Sequence, residues 1–296
     1  MEKNKKVLIT GASGMLGSAL LARFAKKYQC SALDIKPGAS IPGVDWISCE
    51  LTDVAAAKEA VKRCCPDVVI HCAALVNVDL CESNIEKAYS LHVGSTRTLS
   101  EECQARNIGL IYISTDSVFD GNKNGAYTEL DEPAPLNTYA RTKFEGEKEA
   151  LKNAQGLVLR TNIFGWTEQG KSFAEWILEG LRGDKQLTMF TDVFFTPIST
   201  FGLADVISLC IDKSLKGLYH AGGGEVLSKF DFAIKVSSIY GLSADRVIPV
   251  VLDDVKLTAP RAKNMALDSS KLSQALDFNM PDVAASLKLW KSLERA

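Results

Sequence analysis

Tyr139 and Lys143 form a Y-x-x-x-K pair, and this spacing places both side chains on one face of a helix. Moving a hydride onto a ketone leaves an alkoxide, which must receive a proton as it forms. A phenol has a pKa near 10, and an ammonium within about 4–6 Å favours the phenolate and lowers that pKa. The pair therefore predicts a tyrosine acid/base tuned by a lysine, which would also hold the ribose of a nicotinamide cofactor.

The position of this pair distinguishes it from a chance pairing, which seven tyrosines make common. A predicted strand at about 109–114 ends just before Thr115, and a long loop leads from there to Tyr139. Ligands bind at the carboxyl ends of strands in open α/β sheets. We therefore expect the Thr115 hydroxyl to hydrogen-bond the substrate oxygen. The alternative is a strand-end threonine beside two surface residues.

A second motif, G-x-x-G-x-x-G, follows the first predicted strand and leads directly into a helix. Such a turn places backbone amides and the positive end of the helix against a pyrophosphate, and the glycines allow the backbone to approach closely. An ordinary tight turn can have the same sequence. The evidence for a phosphate-binding turn is therefore the strand that precedes the motif and the helix that follows it. The residues predicted to hold the cofactor phosphates are Gly11, Ser13, Gly14, Met15, Leu16 and Gly17.

The end of the second predicted strand carries Asp34, 20 residues beyond Gly14. A carboxylate there can accept both ribose hydroxyls of an adenosine, and it favours NAD over NADP because it repels a 2′-phosphate. Ile35 and Lys36 are assigned to the same site, where Lys36 would soften that preference. The alternative for Asp34 is a solvated strand-end acid. Asp53, after the third strand, either caps the next helix or reaches the adenine amino group.

Strands alternate with helices through the first half of the chain, which argues for parallel βαβ units. We predict strands at about 5–10, 30–34, 46–49, 67–71, 109–114 and 156–160, and helices at about 15–27, 53–63, 84–106 and 139–152. The fold class is therefore α/β, a Rossmann doubly wound parallel sheet with a smaller C-terminal α/β substrate-binding lobe. The NAD(P)-binding domain would span 1–160 and the lobe 161–296, with some later segments returning to the sheet.

The composition argues against several classes of partner. The chain has 34 Lys and Arg against 36 Asp and Glu, so it offers no broad positive field to nucleic acid or to an anionic membrane. No apolar run approaches the ~20 residues of a spanning helix, and the start lacks the apolar region of a signal peptide. Eight cysteines without C-x-x-C indicate reduced thiols, and three scattered histidines argue against a catalytic transition metal. We expect a cytoplasmic protein.

Over nearly its whole length the chain resembles the extended short-chain dehydrogenase/reductases, and within them the dTDP-4-dehydrorhamnose reductase family. The resemblance rests on TGASGMLG (10–17), HCAALVNVDLCE (71–82), ISTDSVFDG (113–121), LNTYARTKFEGE (136–147), LRTNIFGW (159–166) and RAKNMALDSSKL (261–272). It implies a reductase that uses NADPH or NADH to reduce a 4-keto nucleotide sugar such as dTDP-4-dehydrorhamnose. The sequence leaves open whether Mg²⁺ is required and whether the chain forms a homodimer.

The resemblance also implies roles for individual residues. In this family the matching Thr, Tyr and Lys carry catalysis, which corresponds to Thr115, Tyr139 and Lys143. The implied cofactor wall after the fourth strand is made by His71, Cys72, Ala73 and Ala74. The implied substrate wall is made by Val76, Ser117, Val118, Phe119, Asn162 and Arg261.

Three departures from the family pattern leave the sugar and its nucleotide open. Ser117 stands where Tyr is common, His92 where Asn is common and Ala262 where Pro is common. One alternative is an epimerase or dehydratase of the same superfamily, although a dehydratase would need a Glu where Asp116 and Ser117 follow Thr115. Another is a non-catalytic, dinucleotide-binding regulatory subunit resembling the methionine adenosyltransferase β subunit.

Overall fold

The computed structural model describes residues 5–168, 172–183, 185–256 and 260–294, so the ends of the predicted domains, at 1 and 296, lie outside it. The strands in this part of the chain are β1 (Lys6–Thr10), β2 (Gln29–Asp34), β3 (Asp45–Ser48), β4 (Val68–His71), β5 (Gly109–Ile113), β6 (Gly156–Arg160), β7 (Ile163–Phe164), β8 (Leu187–Phe190), β9 (Phe194–Phe195), β10 (Ile198–Ser199), β11 (Gly217–His220), β12 (Leu227–Ser228) and β13 (Val247–Val250). The α-helices are α1 (Met15–Phe24), α2 (Val54–Cys64), α3 (Val78–Ser83), α4 (Ile85–Tyr89), α5 (Ser95–Ala105), α6 (Thr138–Ala150), α7 (Phe173–Arg182), α8 (Thr200–Asp212), α9 (Lys229–Tyr240), α10 (Ser270–Leu276) and α11 (Val283–Ser292).

A parallel sheet in the order β3-β2-β1-β4-β5-β6-β11 forms the centre of the molecule. Along β1, Val7 and Ile9 pack against α1 and α8, whereas Leu8 packs on the other face against α2 and α5. Because successive side chains of a strand point to opposite faces, a sheet covered on both sides needs such a continuous apolar run. The predicted α/β Rossmann fold is confirmed. The strand order reverses between β1 and β4, where a crevice opens at the carboxyl ends.

The chain crosses between the sheet and the lobe more than once. After β6 it enters the lobe, then returns through α8, which packs against α1, and through β11, which pairs with β6. The lobe has its own apolar core, built by α7, α9 and α11 around Phe232 and Trp290. The return of β11 agrees with the expectation that later segments rejoin the sheet. The domain boundary at residue 160 stays a prediction.

The single helix predicted at 84–106 is interrupted. A π-helical turn at Ser90–Gly94 separates α4 from α5, and α3 precedes them as a separate short helix. The Asn84 side chain accepts a hydrogen bond from the Lys87 amide and so begins α4. Turns of this kind recur at functional sites, and this one lies beside α6. In this turn the backbone hydrogen bonds join residues five apart instead of four apart. The spacing of apolar residues in the sequence does not reveal such a local change.

Candidate active site

A cleft of about 620 Å³ lies at the carboxyl ends of the central strands. The predicted site residues that line it are Gly11, Ser13, Gly14, Met15, Leu16, Gly17, Asp34, Ile35, Cys72, Ala73, Ala74, Val76, Thr115, Ser117, Tyr139, Lys143 and Asn162. The predicted residues outside this lining are Lys36, Asp53, His71, Val118, Phe119 and Arg261. The fold thus brings the glycine turn, the strand-end acid and the Tyr-Lys pair to one crevice.

The glycine turn is shaped by close backbone approaches. Gly11 has φ +63°, and a Cβ there would lie 2.6 Å from the Ala73 amide nitrogen. A Cβ at Gly17 would collide with the backbone of Gly11 and Ala12. Gly14 is the N-cap of α1 and has no side chain to cap the first turn, whose amides lack partners within the helix. This cradle fits the pyrophosphate of a dinucleotide.

Asp34 is held by the same turn. Its Oδ2 accepts hydrogen bonds from the amide and the hydroxyl of Ser13, at 3.0 and 2.7 Å, and its Oδ1 accepts one from the Ile35 amide at 2.7 Å. Oδ2 thus accepts two hydrogen bonds, and Oδ1 keeps acceptor capacity for a further one. Asp53, by contrast, accepts from the Ala55 and Ala56 amides, both at 3.0 Å, so the structure shows its capping role.

Tyr139 lies in the first turn of α6. The Asn137 side chain caps this helix by accepting a hydrogen bond of 2.9 Å from the Ala140 amide. Burial raises the pKa of Tyr139 to about 12, an effect that the neighbouring Thr115 hydroxyl opposes and the charge of Asp116 reinforces. At neutral pH the phenol is therefore protonated.

The Lys143 ammonium is directed to the sheet. Nζ donates a hydrogen bond of 2.6 Å to the Ile113 carbonyl and lies 4.0 Å from the centre of the Tyr112 ring. Burial lowers the pKa of Lys143 to about 7, while Glu147 and Cys72 raise it. Burial outweighs the other influences on the phenol of Tyr139, so its pKa lies above the ordinary value in the free protein. That the Lys143 ammonium lowers this pKa stays a prediction.

A buried ion pair lies one helical turn beyond Lys143. The Glu147 carboxylate accepts hydrogen bonds from Arg160 Nε and Nη2, at 2.9 and 2.7 Å, and from the Ser114 hydroxyl at 2.5 Å. The Glu147 and Arg160 side chains are each 2% exposed. This network joins α6 to the ends of β5 and β6. Sequence reasoning assigned no function to these residues, although Glu147 stands at the end of the Y-x-x-x-K segment.

His92, one of the family departures, lies behind the Tyr-Lys pair. Its Nε2 accepts a hydrogen bond of 2.9 Å from the Leu75 amide, so Nδ1 carries the proton and faces the Thr142 hydroxyl at 2.8 Å. Its ring makes an edge contact with the Tyr139 ring, with centroids 5.8 Å apart. Burial lowers the pKa of His92 to about 3, which keeps the ring neutral. His92 thus forms a polar link between Leu75, in the loop after β4, and Thr142 of α6.

Asp116 is a buried acid at the end of the cleft. It accepts hydrogen bonds from Asn162 Nδ2 at 2.5 Å and from the Thr115 and Ser117 hydroxyls, both at 3.2 Å. Burial raises its pKa, and these hydrogen bonds together with Lys229 lower it. Asn162 therefore contributes to the cleft by orienting this carboxylate.

The remaining predicted substrate residues lie elsewhere. Val118 and Phe119 are fully buried in a small core, where Phe119 stacks on Tyr127 with centroids 4.0 Å apart. Arg261 forms an ion pair of 3.5 Å with Asp79. His71 is buried behind the cleft and hydrogen-bonded to the hydroxyls of its neighbours. A substrate role for Val118, Phe119 and Arg261 and a cofactor role for His71 stay predictions.

Several lining residues escaped sequence reasoning. They are Leu33, Cys49, Glu50, Leu51, Leu91, Ile113, Ser114, Asp116, Thr161, Ile163, Thr167 and Ser172. Those at strand ends could have been found by extending the strand-end rule to every strand, since the carboxyl ends share one edge. Thr167 and Ser172 come from the lobe and have no motif of their own.

Among the residues that the structure describes, no three His, Cys, Asp or Glu side chains come together as a set of metal ligands. No helix in the same part of the chain is long and apolar enough to cross a membrane.

Comparison with known proteins identifies relatives over almost the whole chain. The model of the RmlD substrate binding domain matches residues 5–293. Methionine adenosyltransferase 2 subunit beta of Rattus norvegicus is 33% identical over 279 residues, which cover 91% of this chain and 82% of that protein. The probable low-salt glycan biosynthesis reductase Agl14 of Haloferax volcanii is 29% identical over 284 residues, covering 94% and 95%. A dTDP-4-dehydrorhamnose reductase of Bacillus anthracis, solved in complex with NADP, superposes with a TM-score of 0.89 at 26% identity, covering 99% of this chain and 100% of that one.

Proposed function

The chain belongs to the RmlD substrate binding domain family, and we propose that it is an NAD(P)H-dependent reductase of the 4-keto group of a nucleotide sugar. The observation that carries the proposal is that Thr115, Tyr139 and Lys143 line the same cleft as the glycine turn and Asp34. We place dTDP-4-dehydrorhamnose first among the substrates, because the Bacillus anthracis reductase matches the full length of the chain.

The cofactor site follows from the residues of the cleft. The backbone cradle around Gly11 suits a pyrophosphate, and Asp34 suits the adenosine ribose. A reduced nicotinamide bound there supplies the hydride. The NADP bound by the Bacillus anthracis relative supports a nicotinamide cofactor.

The chain's own residues handle the proton and the alignment. Tyr139, kept protonated by burial, donates its proton to the oxygen of the former carbonyl, and the Thr115 hydroxyl hydrogen-bonds the same oxygen. A pKa of about 12 makes the phenol a weak acid in the free protein, and the positive charge of Lys143 would favour release of its proton. The Ile113 carbonyl holds that ammonium in place.

The test is a panel of dTDP-, GDP- and UDP-4-keto sugars, assayed for oxidation of NADPH and NADH by the purified full chain. We expect one of these sugars to be reduced with stoichiometric loss of reduced cofactor. Failure of the whole panel, with the cofactor shown to bind, would overturn the reductase proposal. Tightly retained NAD that is not consumed while the sugar changes would favour an epimerase or dehydratase. The described acids that line the cleft are Asp34, Glu50 and Asp116. Of these, Asp116 lies next to the catalytic trio, where a dehydratase would need a Glu.

A second candidate is a non-catalytic binding subunit. It is favoured by the 33% identity to methionine adenosyltransferase 2 subunit beta and by the departures at Ser117 and Ala262. Size-exclusion chromatography with a methionine adenosyltransferase of the same cell distinguishes the two. A stoichiometric complex without NADPH oxidation by any keto sugar would support the subunit, and oxidation without a complex would support the reductase.

A further inference from the structure

Glu175, in the first turn of α7, joins two residues of the cleft lining. Its Oε1 accepts a hydrogen bond of 3.0 Å from the Thr167 amide, and its Oε2 accepts one of 2.8 Å from the Thr167 hydroxyl. The same Oε2 accepts a hydrogen bond of 2.9 Å from the Ser172 amide. Thr167 and Ser172 both line the cleft, whereas Glu175 stands outside the described lining and is 6% exposed. One buried carboxylate therefore holds two cleft residues of the lobe in place.

The Glu175 carboxylate is held by hydrogen-bond donors and not by a cation. Among the described residues, no Lys, Arg or His nitrogen lies within 4.0 Å of it. Glu175 is the third residue of α7, so the positive end of that helix stabilises a negative charge there. The Ser172 hydroxyl accepts a hydrogen bond of 3.3 Å from the Glu175 amide and completes a capping box. An ionised carboxylate only accepts, so it suits these three donors, whereas an amide would oppose one of them.

The residues just before Thr167 are also fixed in the lobe. The Gly165 carbonyl accepts a hydrogen bond of 2.8 Å from the Ser172 hydroxyl. The Trp166 ring stacks on that of Trp290, with centroids 4.4 Å apart, and its Nε1 donates a hydrogen bond of 2.9 Å to the Trp290 carbonyl. The position of Thr167 is thus set by the core of the lobe on one side and by Glu175 on the other.

Thr167 lies beside the glycine turn. A second cavity, of about 550 Å³, runs along α1 next to the cleft. Among the described residues, Ser13, Met15 and Thr167 line both cavities. They therefore form the boundary between the two cavities, which brings a lobe residue next to the backbone amides that suit a pyrophosphate.

We propose that Glu175 is a positioning residue for the nicotinamide dinucleotide, an inference that rests on the cofactor part of the proposed function. It acts through Thr167, which it holds against the dinucleotide beside the glycine turn. Glu175 takes no part in the transfer of the hydride or of the proton. Its effect falls on how tightly the cofactor binds and not on the rate of the chemical step.

The test is fluorescence titration of the full chain with NADPH and NADH, in the wild type and in Glu175→Gln. The amide keeps one acceptor oxygen, so at least one of the two Thr167 contacts is lost whichever way the amide is turned. We expect the dissociation constant of the tighter cofactor to rise about tenfold, the usual effect of losing a hydrogen bond to a charged group. At saturating cofactor, kcat should stay close to that of the wild type.

The matched control is Asp231→Asn, which breaks the corresponding capping box of α9 in the same lobe. Asp231 and its partner Ser228 stand outside the described cleft lining. We expect this variant to lower the midpoint of thermal unfolding, as Glu175→Gln does, and to leave cofactor affinity unchanged. An equal loss of cofactor affinity in the two variants would show that Glu175 acts only on the stability of the lobe, and would overturn the proposal.

Thr167→Val supplies a second readout that leaves the cap of α7 intact. It removes the hydroxyl that Glu175 accepts from and keeps a side chain of the same shape. We expect it to weaken the cofactor in the wild-type background. The double variant with Glu175→Gln should lose less than the product of the two single losses, because both changes break the same link. Multiplicative losses, or wild-type cofactor affinity in Glu175→Gln, would contradict the proposed role.

The outcome for Glu175 is separable from that for the reductase. Cofactor binding that depends on Glu175, in a chain that reduces no keto sugar, would count against the proposed reductase and leave the positioning role standing. A wild-type chain that binds neither NADPH nor NADH would overturn both.

Discussion

Lys143 donates a hydrogen bond of 2.6 Å from Nζ to the carbonyl oxygen of Ile113, the last residue of β5. This bond joins α6, which carries the proposed acid/base residue Tyr139, to the strand end that carries Thr115. It also keeps the ammonium in the lining of the cleft, where burial lowers the pKa of Lys143. The free protein therefore keeps Tyr139 protonated and Lys143 close to its titration point at neutral pH.

Replacing Tyr139 with Phe removes the proton donor without changing the ring. We expect kcat to fall by about 10²–10⁴-fold, the usual contribution of a positioned acid, with cofactor affinity nearly unchanged. Steady-state NAD(P)H oxidation and cofactor titration measure the two effects. Tyr89→Phe, at an exposed tyrosine, is the control and should leave both unchanged. A loss of less than tenfold in Tyr139→Phe would show that another group donates the proton.

The depressed pKa of Lys143 predicts a pH-dependent stability. In the unfolded chain this lysine binds a proton up to its ordinary pKa near 10.5, whereas the folded protein releases it at about 7. Between these values the unfolded state binds more protons, so Lys143 destabilises the fold near pH 7, and this penalty shrinks as pH rises toward 10.5. The change amounts to up to about 4 kcal/mol.

Urea unfolding of the cofactor-free wild type and of Lys143→Met, at pH 7 and pH 10, measures this effect. We expect the stability of the wild type relative to the variant to increase with pH. Lys26→Met, at an exposed lysine, should show a difference from wild type that does not change with pH. A pH-independent difference for Lys143→Met as well would mean that Lys143 titrates normally in the fold.

The sequence predicted those parts of the fold and site whose patterns are local. The apolar run of β1 and the glycines at 11–17 need only neighbouring residues to be recognised, and the structure shows a buried strand followed by the glycine turn. Tyr139 and Lys143 could be placed because their spacing and the preceding strand end are both visible in the sequence.

Contacts between distant segments were beyond the reach of sequence patterns. The Ile113 carbonyl, which accepts the hydrogen bond from Lys143 Nζ, lies 30 residues earlier in the sequence. No pattern of residue types indicates such a backbone acceptor. Lys229 is 113 residues beyond Asp116 and follows no motif, so only the fold brings its charge near that acid. The exposed ion pair of Arg261 likewise depends on how its segment meets α3.

Asp34 should determine the preference between the two nicotinamide cofactors. In the proposed site its carboxylate accepts ribose hydroxyls and repels a 2′-phosphate, so Asp34→Ala should weaken NADH about tenfold and NADPH less. Because Asp34 also holds Ser13, the control is Ser13→Ala, which removes that hydroxyl contact and keeps the acid. Fluorescence titration of both cofactors measures the affinities. A larger loss for NADPH than for NADH in Asp34→Ala would overturn the assignment.

The buried pair of Glu147 and Arg160 predicts a large and specific loss of stability. Glu147→Gln leaves the guanidinium of Arg160 buried without its counter-charge, which should lower the free energy of unfolding by about 3–5 kcal/mol. Glu149→Gln is the control on the same helix, because its partners Arg97 and Lys152 are 47% and 66% exposed, and it should cost less than about 1 kcal/mol.

A double variant separates the unpaired charge from general damage to the core. Replacing Arg160 with Met in the Glu147→Gln background removes the orphaned cation and should recover part of the stability, as measured by urea unfolding. Glu147→Gln should also lower the pKa of Lys143 further, because it removes a charge that raises it. As the pH is raised, Lys143 should then lose its proton earlier in Glu147→Gln. The activity of this variant should therefore begin to fall at a lower pH than that of the wild type. Additive losses in the double variant would show that the two side chains act independently.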